Sequence, residues 1–274
     1  MKFNDLNMEE WKDLDINVDS LWLINQRDKS GKHNNIYHGN FIPQIPYQLI
    51  SRYTKKSETV LDVFMGSGTT LFVCEDLNRK FIGFDINEDI ISDVYERMQM
   101  FTKDNYFDYS IHKCDSTNSA NVDENLGIAF RKFNWENVDF IIMHPPYLDI
   151  IKFTDNVDDL SQISDLNSFI GKFLDVCNNT IKYLKKDKYF AVVIGDVYKN
   201  REVIPLSFYA MNSIKRKFNV KLKGIIIKNI EGNRGKIGKG GIWKYRALRS
   251  DYYIFKHEYI FVFKKEFWWI IIYL

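Results

Sequence analysis

The stretch Asp139-Phe140-Ile141-Ile142-Met143-His144-Pro145-Pro146-Tyr147 runs from an apolar strand into two prolines and an aromatic ring. Each proline fixes its φ and removes a backbone donor, so carbonyl oxygens at the strand's end are left to face a pocket as acceptors. A rigid set of acceptors can take both hydrogens of a planar amino group and aim the nitrogen lone pair at an electrophile. Tyr147 adds a ring on which a flat heterocycle can stack. His144 adds an imidazole that accepts through one nitrogen when neutral and only donates when protonated. Alone, Pro-Pro-Tyr also reads as a loop or a proline-rich ligand. Ending a hydrophobic strand downstream of a glycine turn, it reads as a reaction centre built from His144, Pro145, Pro146 and Tyr147.

That glycine turn is Leu61-Asp62-Val63-Phe64-Met65-Gly66-Ser67-Gly68-Thr69-Thr70, a strand, a turn and a helix start in which glycine lets the backbone approach a ligand. It lacks the lysine of a phosphate-cradling loop and the third glycine of the dinucleotide fingerprint. The plain alternative is a tight turn capped by Ser67 or Thr69. Further on, Gly83-Phe84-Asp85-Ile86-Asn87 closes a second strand with a carboxylate placed to accept from ribose hydroxyls. That spacing also suits an NAD enzyme, and Asp85 or Asn87 also reads as a helix N-cap. At a third strand end, Asp115 in Cys114-Asp115-Ser116-Thr117 is placed to accept from an adenine amino group, or else sits in a cap-like loop.

The elements that must position these residues show in the hydrophobic periodicity. Short β-branched or aromatic runs alternate with amphipathic stretches, the pattern of a parallel sheet covered by helices. Strands are predicted at 59 to 63, 80 to 84, 109 to 112, 138 to 142 and 189 to 194, with late strands at 221 to 228 and 252 to 263. Helices are predicted near 47 to 53, 69 to 78, 88 to 102, 165 to 184 and 204 to 217. With no internal repeat and no low-complexity linker, a single α/β domain with decorations is the simplest division. Ligands in such a sheet bind beyond the carboxyl ends of the strands, where all of the motifs above fall.

Taken together, these residues resemble the amino-group DNA methyltransferases, which make N6-methyladenine and N4-methylcytosine. The segment holding Asp62, Phe64, Gly66, Ser67, Gly68, Thr69 and Thr70 looks like the family's loop for S-adenosylmethionine, and Asp85 with Ile86 looks like its ribose-binding strand end. Asp115 would meet the cofactor's adenine. Upstream, Tyr37-His38-Gly39-Asn40-Phe41-Ile42-Pro43-Gln44-Ile45-Pro46 is similar to the segment that completes the cofactor pocket, with Phe41 and Pro43 as its candidates; read plainly, it is a loop entering a helix. His257 to Lys265 looks like the closing strand. The resemblance implies a class I methyltransferase-like α/β fold: a mainly parallel seven-stranded sheet with flanking helices and a late antiparallel hairpin. Residues 1–57 would complete the cofactor pocket, 58–266 would form the methyltransferase domain, and 267–274 an apolar tail that reads as a buried strand, a dimer contact or an atypical chain end. The implied activity is transfer of methyl to a flipped adenine or cytosine in DNA, with no metal. In the family Asp, Asn or Ser stands where this chain has His144, and Asp accompanies adenine while Ser accompanies cytosine. The target base therefore stays open. So does His144 itself, as an acceptor, as a packing residue beside the Pro145 carbonyl, or as the mark of lost activity.

A basic loop at 228–250 interleaves cations with glycine and aromatics, and Arg234, Lys236, Lys239, Trp243, Lys244 and Arg246 are its candidate nucleic-acid contacts, with a mobile loop expected. Its plain alternative is a solvated surface. It is smaller than a target-recognition domain, so either a short sequence is read here and around Ile150 to Asp159, or a specificity subunit supplies the rest; a cognate restriction enzyme or a homodimer is the other partner considered.

Composition narrows the field. A net charge of +2 from 38 cationic and 36 anionic side chains does not announce a nucleic-acid binder, so any basic patch is local. Cys74, Cys114 and Cys177 are too dispersed for a metal knuckle or a disulfide framework, which fits a reducing cytoplasm. The polar, acidic N-terminus does not read as a signal peptide and no span for a membrane is expected. Two other classes remain: an RNA or protein-amide methyltransferase with the same Pro-Pro-Tyr chemistry, and a non-catalytic nucleic-acid-binding subunit. An NAD oxidoreductase leaves Pro-Pro-Tyr unexplained.

Overall fold

The computed structural model describes residues 2–33, 39–101, 107–230 and 240–266. In chain order its strands are β1 (Leu21–Trp22), β2 (Thr59–Asp62), β3 (Lys80–Asp85), β4 (Tyr109–Lys113), β5 (Val138–Met143), β6 (Leu184–Ile194), β7 (Val197–Lys199), β8 (Glu202–Ile204), β9 (Val220–Asn229) and β10 (His257–Lys265). Its helices are α1 (Gln44–Tyr53), α2 (Thr69–Asp76), α3 (Glu88–Phe101), α4 (Ser119–Phe133), α5 (Leu166–Ile181), α6 (Leu206–Lys217) and α7 (Gly240–Arg249).

Eight strands form one sheet in the order β1-β9-β10-β6-β5-β2-β3-β4, in which only β10 runs against its neighbours. The seven strands expected from the sequence are all present, and the two-residue β1 adds an edge beside β9. A separate antiparallel hairpin pairs β7 with β8. Alternate residues of each central strand enter opposite faces, as the pleat requires. On β6, Phe190, Val192 and Ile194 join the core under α4, α5 and α6, while Tyr189, Ala191 and Val193 join the core under α1, α2 and α3. Both faces of the central sheet are therefore covered, which is why β2 and β5 are buried at every position. Cys74, Cys114 and Cys177 are buried and free.

From β2 the chain builds outward through β3 and β4, then returns to place β5 on the other side of β2. The order reverses there, so a crevice opens between the carboxyl ends of β2 and β5. The glycine turn leaves β2 and His144 leaves β5, which sets them on either side of that crevice.

Some expected elements differ. Helix α4 escapes the periodicity because Gly127 interrupts it and only Val122, Leu126 and Ala129 form its apolar buried stripe. Strand β6 begins at Leu184, five residues early, because its polar start crosses a register shift against β5 at which Asp187 takes a φ of 60°. The late strand starts at His257, whereas 252 to 256 stay irregular. The expected mobile loop is helical over Gly240–Arg249, where Trp243 to Arg249 contains no helix breaker. Residues 267–274, with the three readings of the apolar tail, lie outside the described residues. Among the described residues, no helix is long and apolar enough to cross a membrane.

Candidate active site

The glycine turn is held by two carboxylates, its own Asp62 and Asp85 of β3. Asp62 is buried; its Oδ1 accepts from the Phe64 N–H at 3.0 Å and its Oδ2 from the Thr70 hydroxyl at 2.6 Å. Burial, with the nearby Asp85 charge, pushes its pKa up to about 7. Gly66 and Gly68 adopt φ values of 51° and 82°, a region that only glycine enters freely, and Gly68 caps α2 with no side-chain hydrogen bond. The alternative of a turn capped by Ser67 or Thr69 is thus not what forms. The Ser67 hydroxyl accepts from Asn40, and its carbonyl accepts from Arg97 at 2.9 Å.

Asp85 at the end of β3 stands at the lip of the crevice. Its Oδ2 accepts from the Gly66 N–H at 2.8 Å and its Oδ1 from the Asn87 N–H at 2.9 Å. Each oxygen keeps a second lone pair, and burial raises the group to about 6, with Asp159 contributing like-charge repulsion. Asn87 caps α3, accepting from the Asp89 N–H at 3.0 Å, so Asp85 is released from that duty. Ile86 follows, half-buried. Half-buried Asp115 spends Oδ1 on the Thr117 N–H and hydroxyl at 2.9 and 2.8 Å, the turn that precedes the Asn118 cap of α4.

The motif His144 to Tyr147 follows β5 directly. His144 Nε2 lies 3.1 Å from the Tyr147 hydroxyl, and that hydroxyl donates to Glu258 Oε2 at 3.2 Å. Glu258 Oε1 is 3.1 Å from the Lys228 ammonium, an ion pair across β9 and β10 that is almost wholly buried. The His144 ring lies 5.0 Å from that of Phe41, tilted by 39°. Burial holds the imidazole below its ordinary pKa, against the pull of Glu258, and holds the Tyr147 phenol well above its own. Pro145 is buried and Pro146 half-buried. The chain then turns at Leu148, whose φ of 52° is strained for a bulky residue and whose side chain is fully buried.

Two loops meet over the crevice, the one before α1 and the one after Tyr147. Pro43 starts α1 and sets Phe41 beside His144. A Cβ on Gly39 would stand 2.8 Å from the Phe153 ring, so the upstream loop touches the loop after Tyr147. In that loop, Asp159 accepts from the Thr154 and Ser161 N–H groups at 3.0 and 2.8 Å, while Ile150, Ile151 and Val157 are exposed. Tyr37 and His38, at the start of the upstream segment, lie outside the described residues.

The nucleic-acid candidates divide. Arg234, Lys236 and Lys239 lie outside the described residues. Trp243, Lys244 and Arg246 belong to α7, on which Lys244 and Arg246 are exposed. Arg246 lines a cleft of about 450 Å³ with Tyr198, Tyr252, Tyr253 and Phe255, the Tyr198 and Tyr252 rings being 4.8 Å apart. Lys228, the first residue of the basic stretch, is instead buried on Glu258 and does not face phosphate.

Sequence reasoning missed Glu258, Lys228 and Gly195. A Cβ on Gly195 would come within 2.8 Å of Tyr147 Cε2, so this glycine backs the tyrosine ring. The available signal was a carboxylate directly before the aromatic and aliphatic run Tyr259 to Phe263.

The sequence model of the DNA methylase family matches residues 2–96. That match covers the N-terminal third of this chain. It holds the glycine loop and Asp85, and S-adenosylmethionine is the family's cofactor. The chain is also similar to the type II methyltransferase M.XycI of Xanthomonas campestris pv. cyanopsidis, 32% identical over 80 residues, 29% of this chain and 25% of that protein. With the type II methyltransferase M.HindIII of Haemophilus influenzae it shares 35% identity over 94 residues, 30% of each chain. The similarity spans about a quarter of the first of these relatives and under a third of the second. Among solved structures, it superposes on TrmN from Thermus thermophilus with a TM-score of 0.49 at 13% identity, over 83% of this chain and 50% of that one. His144 to Tyr147 lies beyond the family match, so its reading rests on the geometry.

Proposed function

We propose that this chain transfers methyl from S-adenosylmethionine to the exocyclic amino group of a flipped adenine (N6) or cytosine (N4) in DNA. One observation carries the reading: His144-Pro145-Pro146-Tyr147 leaves β5 beside the reversal of strand order, opposite the glycine loop and against Phe41.

The residues present fit the cofactor. Asp85 keeps lone pairs for ribose hydroxyls, Asp115 has an oxygen beyond its Thr117 bonds, and the Thr69 hydroxyl behind the loop is buried without a partner among the described residues. Phe41, Pro43, Phe64 and Ile86 supply apolar walls, and Gly66, Ser67 and Gly68 the backbone approach. Asp62 and Thr70 serve indirectly, by holding the loop to which they are bonded. When bound, S-adenosylmethionine supplies an electrophilic methyl on a sulfonium.

The chain's own work is positioning and exclusion of water. The carbonyl at Pro145 and the ring of His144 each accept an amino hydrogen, which turns the nitrogen lone pair toward the methyl. On accepting the methyl that the bound cofactor would supply, the amino nitrogen would shed one proton, for which neutral His144 is the acceptor in this motif. Tyr147 offers its ring to the extruded base. Lys244 and Arg246, extended by Arg234, Lys236, Lys239 and Trp243, contact DNA, an assignment supported by the aromatic and cationic cleft beside α7. Such an enzyme works on DNA in the cytoplasm, alone or with a specificity subunit, a restriction enzyme or a second copy.

The test is expression in a host that lacks DNA methylation, followed by single-molecule sequencing of its genome. N6-methyladenine or N4-methylcytosine at one short motif, abolished by Pro146→Ala, is the expected result. Unmodified DNA with labelled methyl on RNA or protein would overturn it.

A further inference from the structure

The chain of contacts behind Tyr147 decides which nitrogen of His144 carries the hydrogen. Lys228 is a donor only, so its ammonium pairs with Glu258 as a carboxylate, 3.1 Å away, with both groups buried in the paired register of β9 and β10. A carboxylate is an acceptor only. The single hydroxyl hydrogen of Tyr147 is therefore committed to Glu258 Oε2 at 3.2 Å, and the phenol oxygen faces His144 Nε2 at 3.1 Å with lone pairs alone. A contact at that distance is a hydrogen bond only if Nε2 carries the hydrogen. In a neutral ring Nδ1 is then bare.

We infer that Glu258 and Lys228 are positioning residues that lock His144 in the Nε2–H tautomer through Tyr147, so that Nδ1 is the atom accepting the substrate's amino hydrogen. This rests on the methyl-transfer reading above for the substrate, but not for the tautomer. It gives a reason for a buried ion pair beside the motif: the pair converts a side chain with two interchangeable protonation patterns into an acceptor of fixed direction. Removing the negative charge reverses the pattern. In Glu258→Gln the amide oxygen turns to the Lys228 donors and the amide nitrogen donates to the Tyr147 oxygen. The phenol hydrogen then points at His144 Nε2, and the hydrogen of the ring moves to Nδ1, where a donor confronts the amino group.

Nitrogen-15 spectra of histidine-labelled protein at pH 8 read this directly, the signal of His144 among the five histidines being assigned by its loss in His144→Ala. The wild type is expected to show a protonated Nε2 and a bare Nδ1. Glu258→Gln is expected to exchange them and to lower kcat about 100-fold on the methylated DNA motif, with KM for S-adenosylmethionine within about twofold. A wild-type ring protonated on Nδ1 would overturn the inference, and that spectrum needs no change at Glu258. So would a Glu258→Gln protein that keeps the wild-type tautomer, or that exchanges it with kcat unchanged. If the wild type shows the Nε2–H tautomer yet methylates no DNA, the substrate reading fails and the positioning role stands.

Discussion

Gly195→Ala tests whether the Tyr147 ring must be held where it is. The added methyl would sit 2.8 Å from Cε2, 3.4 Å from Cδ2 and 3.5 Å from Cζ of that ring. Ordinary carbon contacts begin near about 3.6 Å, so the ring has to retreat by roughly 0.8 Å. The Tyr147 hydroxyl has no slack for this: its partners His144 and Glu258 are already at 3.1 and 3.2 Å, and the shift takes one or both beyond hydrogen-bond range. Overpacking costs about 1–3 kcal/mol of stability, which a buried core of this size tolerates. A misplacement approaching 1 Å in a reacting constellation costs about 100-fold in rate. The expected outcome is a folded protein, with a urea midpoint modestly lowered, unchanged S-adenosylmethionine binding by calorimetry and kcat down about 100-fold. A Gly195→Ala enzyme with wild-type kcat would refute the claim that this backing surface sets the geometry of the motif.

The pH profile separates two groups. Because burial lowers the His144 pKa, kcat at saturating cofactor should hold level as pH falls to about 6.5 and drop only below it; a kcat already halved at pH 7 would point to another group. Asp85, near 6, should place its loss on the cofactor KM instead. Stability responds with the opposite sign at Asp62. Its folded pKa of about 7 lies above the unfolded value of 3.8, so its contribution is complete at low pH and is lost as pH rises to about 7. Asp62→Asn, whose amide can still accept from Phe64 and donate to Thr70, should flatten the urea stability profile between pH 4 and 7 by up to about 1.4 kcal/mol per pH unit; an unchanged slope would contradict the assignment. Arg79 is buried where it donates to Asp5 and to the Thr54 carbonyl and hydroxyl. Arg79→Met should cost about 3 kcal/mol in urea unfolding, and a loss under 1 kcal/mol would show the cluster to be dispensable.

What the sequence discloses here follows from how far apart the determinants lie. The glycine turn, Asp85 and His144 to Tyr147 each sit within one strand end, where local chemistry dictates a turn, a cap or a rigid acceptor edge, and the structure brings all of them to the crevice between β2 and β5. Even there, local reading could not see that Asp62 and Thr70 bond each other across the turn. Helix α4 was hidden by Gly127, and α7 by the glycines that precede it. Glu258 and Lys228 were hidden for a different reason. Thirty residues apart, they face each other only through the antiparallel register of β9 and β10, and in one dimension each resembles a surface charge on an edge strand. Register is a tertiary quantity, set by which faces the whole sheet buries. A position such as His144, where this chain departs from the residues usual in the family it resembles, is therefore best understood by asking what the fold places behind it. Here a buried carboxylate answers through a tyrosine hydroxyl, which makes the histidine directional and makes its substitution for an acidic or amide side chain chemically coherent.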